Sequence, residues 1–299
     1  MSPTDGKLNP MVTTPVKFIG VLLLLGGFSL LLIHLVGSHT LPLIHTKGLV
    51  ATQERNLIVT ATLLMLVVVV PVLTLTFTIA WHYRANNVKA TYQPDFDHSL
   101  LAESIWWGIP CLIIAALAVI TWNSTHALDP SKALALTKAP LTIEVVALPW
   151  KWLFLYPGQQ VASVNEVHFP TGTPVTFKIT SDAPMNSFFI PELSGQIYAM
   201  SGMTTSLNLV ADHDGRYRGQ SSNLSGAGFA GMTFTAVSSS NNDFTEWVQA
   251  ARNNPNIMDG PQYKALQAPS ENTPPAIYSL PNPHFYQEIL KGYMPAMGK

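Results

Sequence analysis

The chain of 299 residues is 47% hydrophobic and only 11% charged, with a formal net charge of −1. Soluble globular domains carry about 25% charged residues, so the deficit points to a membrane before any motif is read. Scattered Lys and Arg at near-neutral charge argue against a nucleic-acid partner, and the single cysteine, Cys111, leaves no internal disulfide and no cysteine metal cluster. Inside its apolar run Cys111 reads as a small buried hydrophobe.

Residues 1–38 contain the first apolar stretch, Phe18 to Val36, behind Lys7 and Lys17. It reads as a signal peptide or as a retained N-terminal anchor. The run exceeds the roughly 7–15 apolar residues of a signal peptide, yet Val36-Gly-Ser38 offers small residues for cleavage. Residues 39–56 form an outer segment, and residues 57–123 a transmembrane helical hairpin. Its first span, Leu57 to Trp81, contains Leu63-Leu-Met-Leu-Val-Val-Val-Val70. At about 1.5 Å per residue it reaches roughly 37 Å, enough to cross a hydrocarbon core of about 30 Å. The second span, from Ile105 to Trp122, is flanked by Trp106, Trp107 and Trp122, the aromatics expected where helices leave the bilayer. Pro71 and Pro110 bend these spans without breaking them. The N-terminus and the loop from His82 to Leu101 are placed inside, and everything after Asn123 outside. Charge counting does not decide this orientation, since Arg84 and Lys89 inside face Lys47 and Arg55 outside.

From about Pro140 the pattern changes to short β-like runs. Leu141–Ala147, Trp150–Tyr156, Pro174–Thr180 and Thr205–Val210 alternate or nearly alternate, and glycines and prolines punctuate them. Strands at this spacing predict a β-sandwich or barrel over residues 124–243. The tail, 244–299, predicts short helices at Phe244–Arg252 and from His284 to Met294, with loop-like sequence from Pro269 to Pro283 between them. A disordered polar tail would carry fewer aromatics, so this one packs on its own domain or on a neighbouring subunit.

Within the outer domain, Ser221, Ser225, Phe229 and Met232 keep the spacing Cys-x3-Cys-x3-His-x2-Met, the loop that holds a binuclear copper centre in the second subunit of cytochrome c oxidases. Copper of this kind needs thiolate and imidazole donors, which two hydroxyls and a phenyl ring do not supply. Upstream, Asn186-Ser-Phe188 stands where that branch has His-Ser-Phe, and Asn223 replaces the acidic residue between the two cysteines. Only Met232 retains a copper-binding atom, and a lone thioether reads better as core packing. His168 and His213 match no metal spacing and read as structural or surface groups.

These residues, with Thr121-Trp-Asn-Ser-Thr-His-Ala-Leu-Asp-Pro-Ser-Lys132, Trp150-Lys-Trp152, Met185-Asn-Ser-Phe-Phe-Ile-Pro191 and Gln196-Ile-Tyr-Ala-Met-Ser-Gly-Met203, give a specific likeness from about Gln53 to the C-terminus. The chain resembles subunit II of the bo-type ubiquinol oxidases, the copper-less quinol branch of the heme-copper oxidases. The resemblance implies a membrane-anchored α+β chain of the bacterial inner membrane: a helical hairpin, a cupredoxin-like β-sandwich in the periplasm, and a helical C-terminal tail. It implies no cofactor on this chain, with the hemes, the active-site copper and the ubiquinol site in subunit I, and subunits III and IV as further partners beside the lipid bilayer. Ubiquinol oxidation and oxygen reduction to water would then occur in subunit I, coupled to proton translocation. With no copper behind them, Trp150 and Trp152 fill the sandwich core or its membrane-facing end instead of relaying electrons.

The resemblance also places Glu103, in Leu101-Ala-Glu-Ser-Ile-Trp-Trp-Gly-Ile-Pro110, beside the mouth of a proton channel in subunit I. A carboxylate partly desolvated at a membrane helix end suits a proton relay, while the plainer reading is an acidic side chain at a helix N-terminus. Related lipoprotein subunits carry a cysteine at the cleavage point, and Leu35-Val-Gly-Ser-His-Thr40 has none, which excludes N-terminal lipidation there. Two other functions remain open to the sequence: a subunit II that relays electrons from cytochrome c, and a membrane-tethered module that binds a periplasmic ligand.

Overall fold

The computed structural model describes residues 27, 34, 42–88, 90, 91 and 98–293. The first apolar stretch lies outside the described residues except for Gly27 and His34, both helical, and the choice between leader and anchor lies there with it.

Two long helices follow, α1 (Leu49–His82) and α2 (Leu100–Ala127), and both are long and apolar enough to cross a membrane. No charged residue interrupts Leu57 to Trp81. Along α1 the hydroxyls of Thr60, Thr62, Thr74 and Thr76 each donate to the carbonyl four residues back, at 2.7–2.8 Å, so none presents an unmet hydrogen bond to lipid. Pro71 and Pro110 both sit inside continuous helix. Cys111 corrects its expectation: it is exposed on α2, because the outward surface of a bilayer helix is its apolar surface.

The spans are longer than their apolar runs. α1 starts at Leu49, inside the stretch 39–56 expected as an outer segment, because its first turns dock on protein. The Lys47 and Ala51 amides donate to the carbonyls of Glu192 and Leu193 at 2.8 and 3.3 Å, and Gly48 forms an antiparallel bridge with Ala211. Val50 and Ala51 are buried there. The Ala51 amide is one of the helix-start donors that has no partner within the helix, and the domain supplies one.

The outer domain is a sandwich of eleven strands among the described residues: β1 (Leu141–Leu148), β2 (Lys151–Tyr156), β3 (Val161–Val164), β4 (Glu166–Pro170), β5 (Val175–Ser181), β6 (Asn186–Phe189), β7 (Gln196–Ala199), β8 (Thr205–Leu209), β9 (Gly215–Ser221), β10 (Thr233–Ser239) and β11 (Ala276–Ser279). One sheet runs β11-β3-β2-β1-β5-β8 and the other β4-β10-β9-β6-β7. The β1–β5 and β4–β10 pairs are parallel and the remaining pairs antiparallel. Between the sheets lies an aromatic core that includes Trp152, Phe154, Phe177, Phe188 and Phe234. The rings of Phe188 and Phe234 stack at 4.9 Å, and Trp152 meets Phe188 edge-on at 5.3 Å.

The tail packs on its own domain. Helices α3 (Asn241–Arg252), α4 (Gly260–Leu266) and α5 (Phe285–Lys291) bracket β11, which lies inside the stretch expected to be loop. A second core forms where Met258, Tyr263, Leu280, Phe285, Tyr286 and Ile289 cover Val146, Leu148, Leu153 and Leu155. Strands β1 and β2 thus bury both faces, which is why their sequences run nearly continuously apolar. The two charged residues on that covered face find partners in the tail. Buried Lys151 donates to the carbonyls of Leu266 and Ala268 at 2.8 and 2.7 Å, and Glu144 accepts from the Gln287 amide at 3.1 Å. Asp182, just past β5, accepts hydrogen bonds from Tyr263, Gln267 and Tyr293.

Gly48 is the tightest point of the helix–domain junction: a Cβ there would lie 2.7 Å from both the Leu193 and Val210 carbonyl oxygens. These neighbours are backbone and yield poorly, so Gly48→Ala is expected to destabilise the full chain by about 1–3 kcal/mol. Gly158→Ala, with nothing within 4 Å of its Cβ, serves as the control in the same thermal melts. Equal melting temperatures for the two variants would refute the junction as drawn.

Glu144 gives a pH-dependent prediction. Burial raises its pKa above the ordinary value of 4.5, against smaller opposing effects of Gln287, Lys178 and His284. The folded state therefore holds this proton more tightly than the unfolded chain. The linked stability is fully present below about pH 4.5 and is lost as pH rises through the elevated folded-state value. Glu144→Gln should accordingly melt higher than the parent chain at neutral pH, and the gain should vanish at pH 4. A gain of the same size at both pH values would rule out this linkage.

Candidate functional site

The copper-loop positions come from adjoining strand ends. Asn186 opens β6, and Ser221 closes β9, which pairs with β6 in the register Phe188↔Ser221. The chain then passes through Ser225 and a 3-10 turn at Ala227–Gly231, which carries Phe229, and reaches Met232 just before β10. The Ser221 amide donates to the Met232 carbonyl at 3.1 Å, closing the loop at its neck.

The polar groups that face each other here satisfy one another. Ser221 Oγ donates to Asn186 Oδ1 at 3.0 Å, and Asn186 Nδ2 donates to the Pro184 carbonyl at 2.7 Å. Both residues are buried, Asn186 to 1% exposure and Ser221 to 5%. Asn223 Nδ2 donates to the Met185 carbonyl at 2.8 Å, and the Ser222 amide reaches the Ser187 carbonyl at 3.1 Å. Met232, at 1% exposure, belongs to the sandwich core as expected. Ser225 and Phe229 sit further along the loop, and Ser225 Oγ is buried without a hydrogen-bond partner among the described residues.

The sequence reading missed how the loop is held. Trp150 adopts φ 60, rare for a bulky side chain, and its Nε1 donates to the Ser225 carbonyl at 3.0 Å. Its ring fills the space over Gly228, where a Cβ would come within 2.4 Å, and Gly226 turns beside it with φ 105. Trp150 is thus only partly buried and clamps the loop from outside, whereas Trp152 lies in the core as expected. The available signal was the pair of glycines at 226 and 228, which leaves room for a ring against backbone.

These residues do not fit a binuclear copper. Asn186, Ser221, Ser225 and Phe229 offer an amide, two hydroxyls and a hydrocarbon ring where soft thiolates and imidazole are needed, and the Ser221 hydroxyl is already committed to Asn186. Among the described residues no group of three or more His, Cys, Asp or Glu is arranged to hold a metal ion. His168 stacks on Trp247 with ring centroids 4.3 Å apart, and burial, its main influence, holds its pKa down at about 4 despite Glu166 alongside. His213 is exposed, and its carbonyl accepts from the Tyr217 hydroxyl. At the other end of the molecule, Glu103 sits in the first turn of α2. Its Oε1 accepts from the Ser99 amide at 3.3 Å, while Ser99 Oγ accepts from the Ala102 amide at 3.4 Å, a reciprocal helix cap.

Residues 141–239 match the family model for the cytochrome c oxidase subunit II periplasmic domain, and residues 252–297 match the COX aromatic-rich motif. Over 287 residues the chain is 48% identical to the cytochrome bo(3) ubiquinol oxidase subunit 2 of Pseudomonas putida, covering 96% of this chain and 88% of that protein. The chain belongs to the bo-type ubiquinol oxidase subunit II family. The Pseudomonas aeruginosa subunit 2 is 46% identical over 96% of this chain and 83% of its own length. The ubiquinol oxidase subunit 2 of Acetobacter aceti is 44% identical over 90% and 87%. The protein is therefore a membrane-anchored subunit of a multi-subunit heme-copper oxidase complex. Its aromatic-rich motif is the tail segment that covers the six-stranded sheet.

Copper loading of the full chain in detergent, followed by desalting and metal analysis, is expected to leave no stoichiometric copper and no visible charge-transfer band. Two tightly held coppers per chain would overturn the reading of this loop.

Proposed function

We propose that this subunit carries no redox centre and serves a ubiquinol oxidase as a structural and proton-entry component. The observation that supports the reading is the Asn186–Ser221 hydrogen bond, which occupies the place where an electron relay would need metal ligands. In this reading subunit I holds the hemes and active-site copper, oxidises ubiquinol and reduces oxygen to water, and subunits III and IV complete the complex. The hairpin crosses the bacterial inner membrane, and the sandwich lies in the periplasm. An electron relay from cytochrome c fits poorly with the hydroxyl and amide donors of the loop.

Glu103 is the residue of this chain we assign to proton entry. It is partly exposed at the start of a membrane helix, on the side opposite the outer domain. The helix cap alone explains its position, so the test must separate capping from titration. Glu103→Gln does so, because a Gln side-chain oxygen still accepts from the Ser99 amide while carrying no exchangeable carboxyl proton. The assembled oxidase with Glu103→Gln is expected to fold and bind quinol normally but to turn over several-fold more slowly. That is less than the roughly 10²–10⁴-fold of a positioned acid–base group, because bulk water remains an alternative donor at a channel mouth. Wild-type turnover from neutral to alkaline pH would remove the proton-entry role and leave the cap.

A further inference from the structure

The outer face of the five-stranded sheet carries a groove of about 530 Å³. Its floor is made by β9 and β10. Burial alternates along both strands, so Arg216, Arg218 and Gln220 point out of β9 and Thr233, Thr235 and Val237 out of β10. Arg218 stands directly opposite Thr235 in the ladder. The wall is the tail segment Asn272–Pro275, held there by Asn165, whose Nδ2 donates to the Thr273 carbonyl at 2.7 Å. Asn165 also accepts from the Trp152 amide at 2.8 Å, so the wall is tied to the centre of the sandwich.

The groove has unused donors and no acid. Arg216 is committed to Glu166 at 3.1 Å, which neutralises that carboxylate, and no Asp or Glu among the described residues lines the groove. Among the described residues the side chains of Arg218, Thr233 and Thr235 have no hydrogen bond or ion pair to protein. What remains is one uncompensated guanidinium with two hydroxyls on the same strand face. A guanidinium fork matches the two oxygens of a carboxylate or phosphate, and hydroxyls complete such a site as single donors. The volume exceeds that of a bare inorganic ion and falls in the range of small-molecule sites, about 300–1,000 Å³. Pro274 and Pro275 supply an apolar wall for a carbon skeleton.

We propose that this groove binds a small organic molecule bearing carboxylate or phosphate oxygens, with Arg218 as its anchor and Thr233 and Thr235 as the accompanying donors. The oxyanion comes either from a soluble metabolite or from a lipid headgroup, and the two sources separate by experiment. The full chain in neutral detergent is titrated calorimetrically with citrate and with glycerol 3-phosphate at constant ionic strength, and separately with phosphatidylglycerol mixed micelles. Saturable binding of either soluble anion identifies a metabolite site, and binding confined to phosphatidylglycerol identifies a headgroup site. In both cases Arg218→Gln should weaken binding about tenfold or more, the loss of one charge-assisted pair. Arg218→Lys, which keeps the charge without the fork, should fall between, and Thr233→Val with Thr235→Val should weaken binding several-fold. Melting curves for each variant verify that the exposed substitutions leave the fold intact. Absence of saturable binding with all three probes overturns the proposal, as does undiminished affinity in Arg218→Gln.

Discussion

The six-stranded sheet has two apolar faces, and most of the outer domain follows from the need to cover both. A sandwich ordinarily buries one face of each sheet and leaves the other to water. Here Val146, Leu148, Leu153 and Leu155 would stand in solvent without the tail, and covering them removes apolar surface worth roughly 25 cal/mol per Å². Once that layer exists, any polar group under it must be satisfied from above. Lys151 does this with carbonyls at the end of α4, where the partial negative charge of a helix terminus favours a cation, and Glu144 does it with Gln287. The tail is therefore part of the domain's core, and the two parts fold as one body.

The loop between β9 and β10 shows how hydrogen bonds alone hold strand ends together. A copper centre ties strand ends and loop together through coordinate bonds. In this chain the same strand ends are joined by Ser221 to Asn186 and by the Ser221–Met232 backbone bond, while Trp150 bears on the loop from outside. Each such bond contributes a modest net stabilisation, about 0.5–1.5 kcal/mol, but leaving either buried partner unmatched would cost more. The conformation is kept by the mutual satisfaction of buried polar groups.

How much of this was legible follows burial. The membrane spans and strands β1, β2, β5 and β8 were plain because long apolar or alternating runs mark them. Strand β9, Gly-Arg-Tyr-Arg-Gly-Gln-Ser, was not, since glycine is a poor strand residue and Tyr217 is the only large apolar side chain it sends to the core. Strand β11 hid among prolines, which suits its place at the edge of a sheet, where one side needs no hydrogen bonds. That positions 186, 221, 225 and 229 offer no thiolate or imidazole was legible residue by residue, because it depends on side-chain chemistry alone. The clamp by Trp150 was not, because glycines 226 and 228 mark room for a ring without saying which one, and a left-handed backbone at a tryptophan has no sequence signature. The extension of α1 back to Leu49 was also hidden, since its partners, Glu192, Leu193 and Ala211, lie far along the chain on the other side of two membrane crossings.

That last contact has a topological meaning. The bridge between Gly48 and Ala211 joins two points of the chain separated by the whole helical hairpin. Both points must lie on one side of the bilayer for the bridge to exist, so the number of crossings between them must be even. Helices α1 and α2 meet that parity, and neither can be withdrawn from the membrane alone without tearing the junction open.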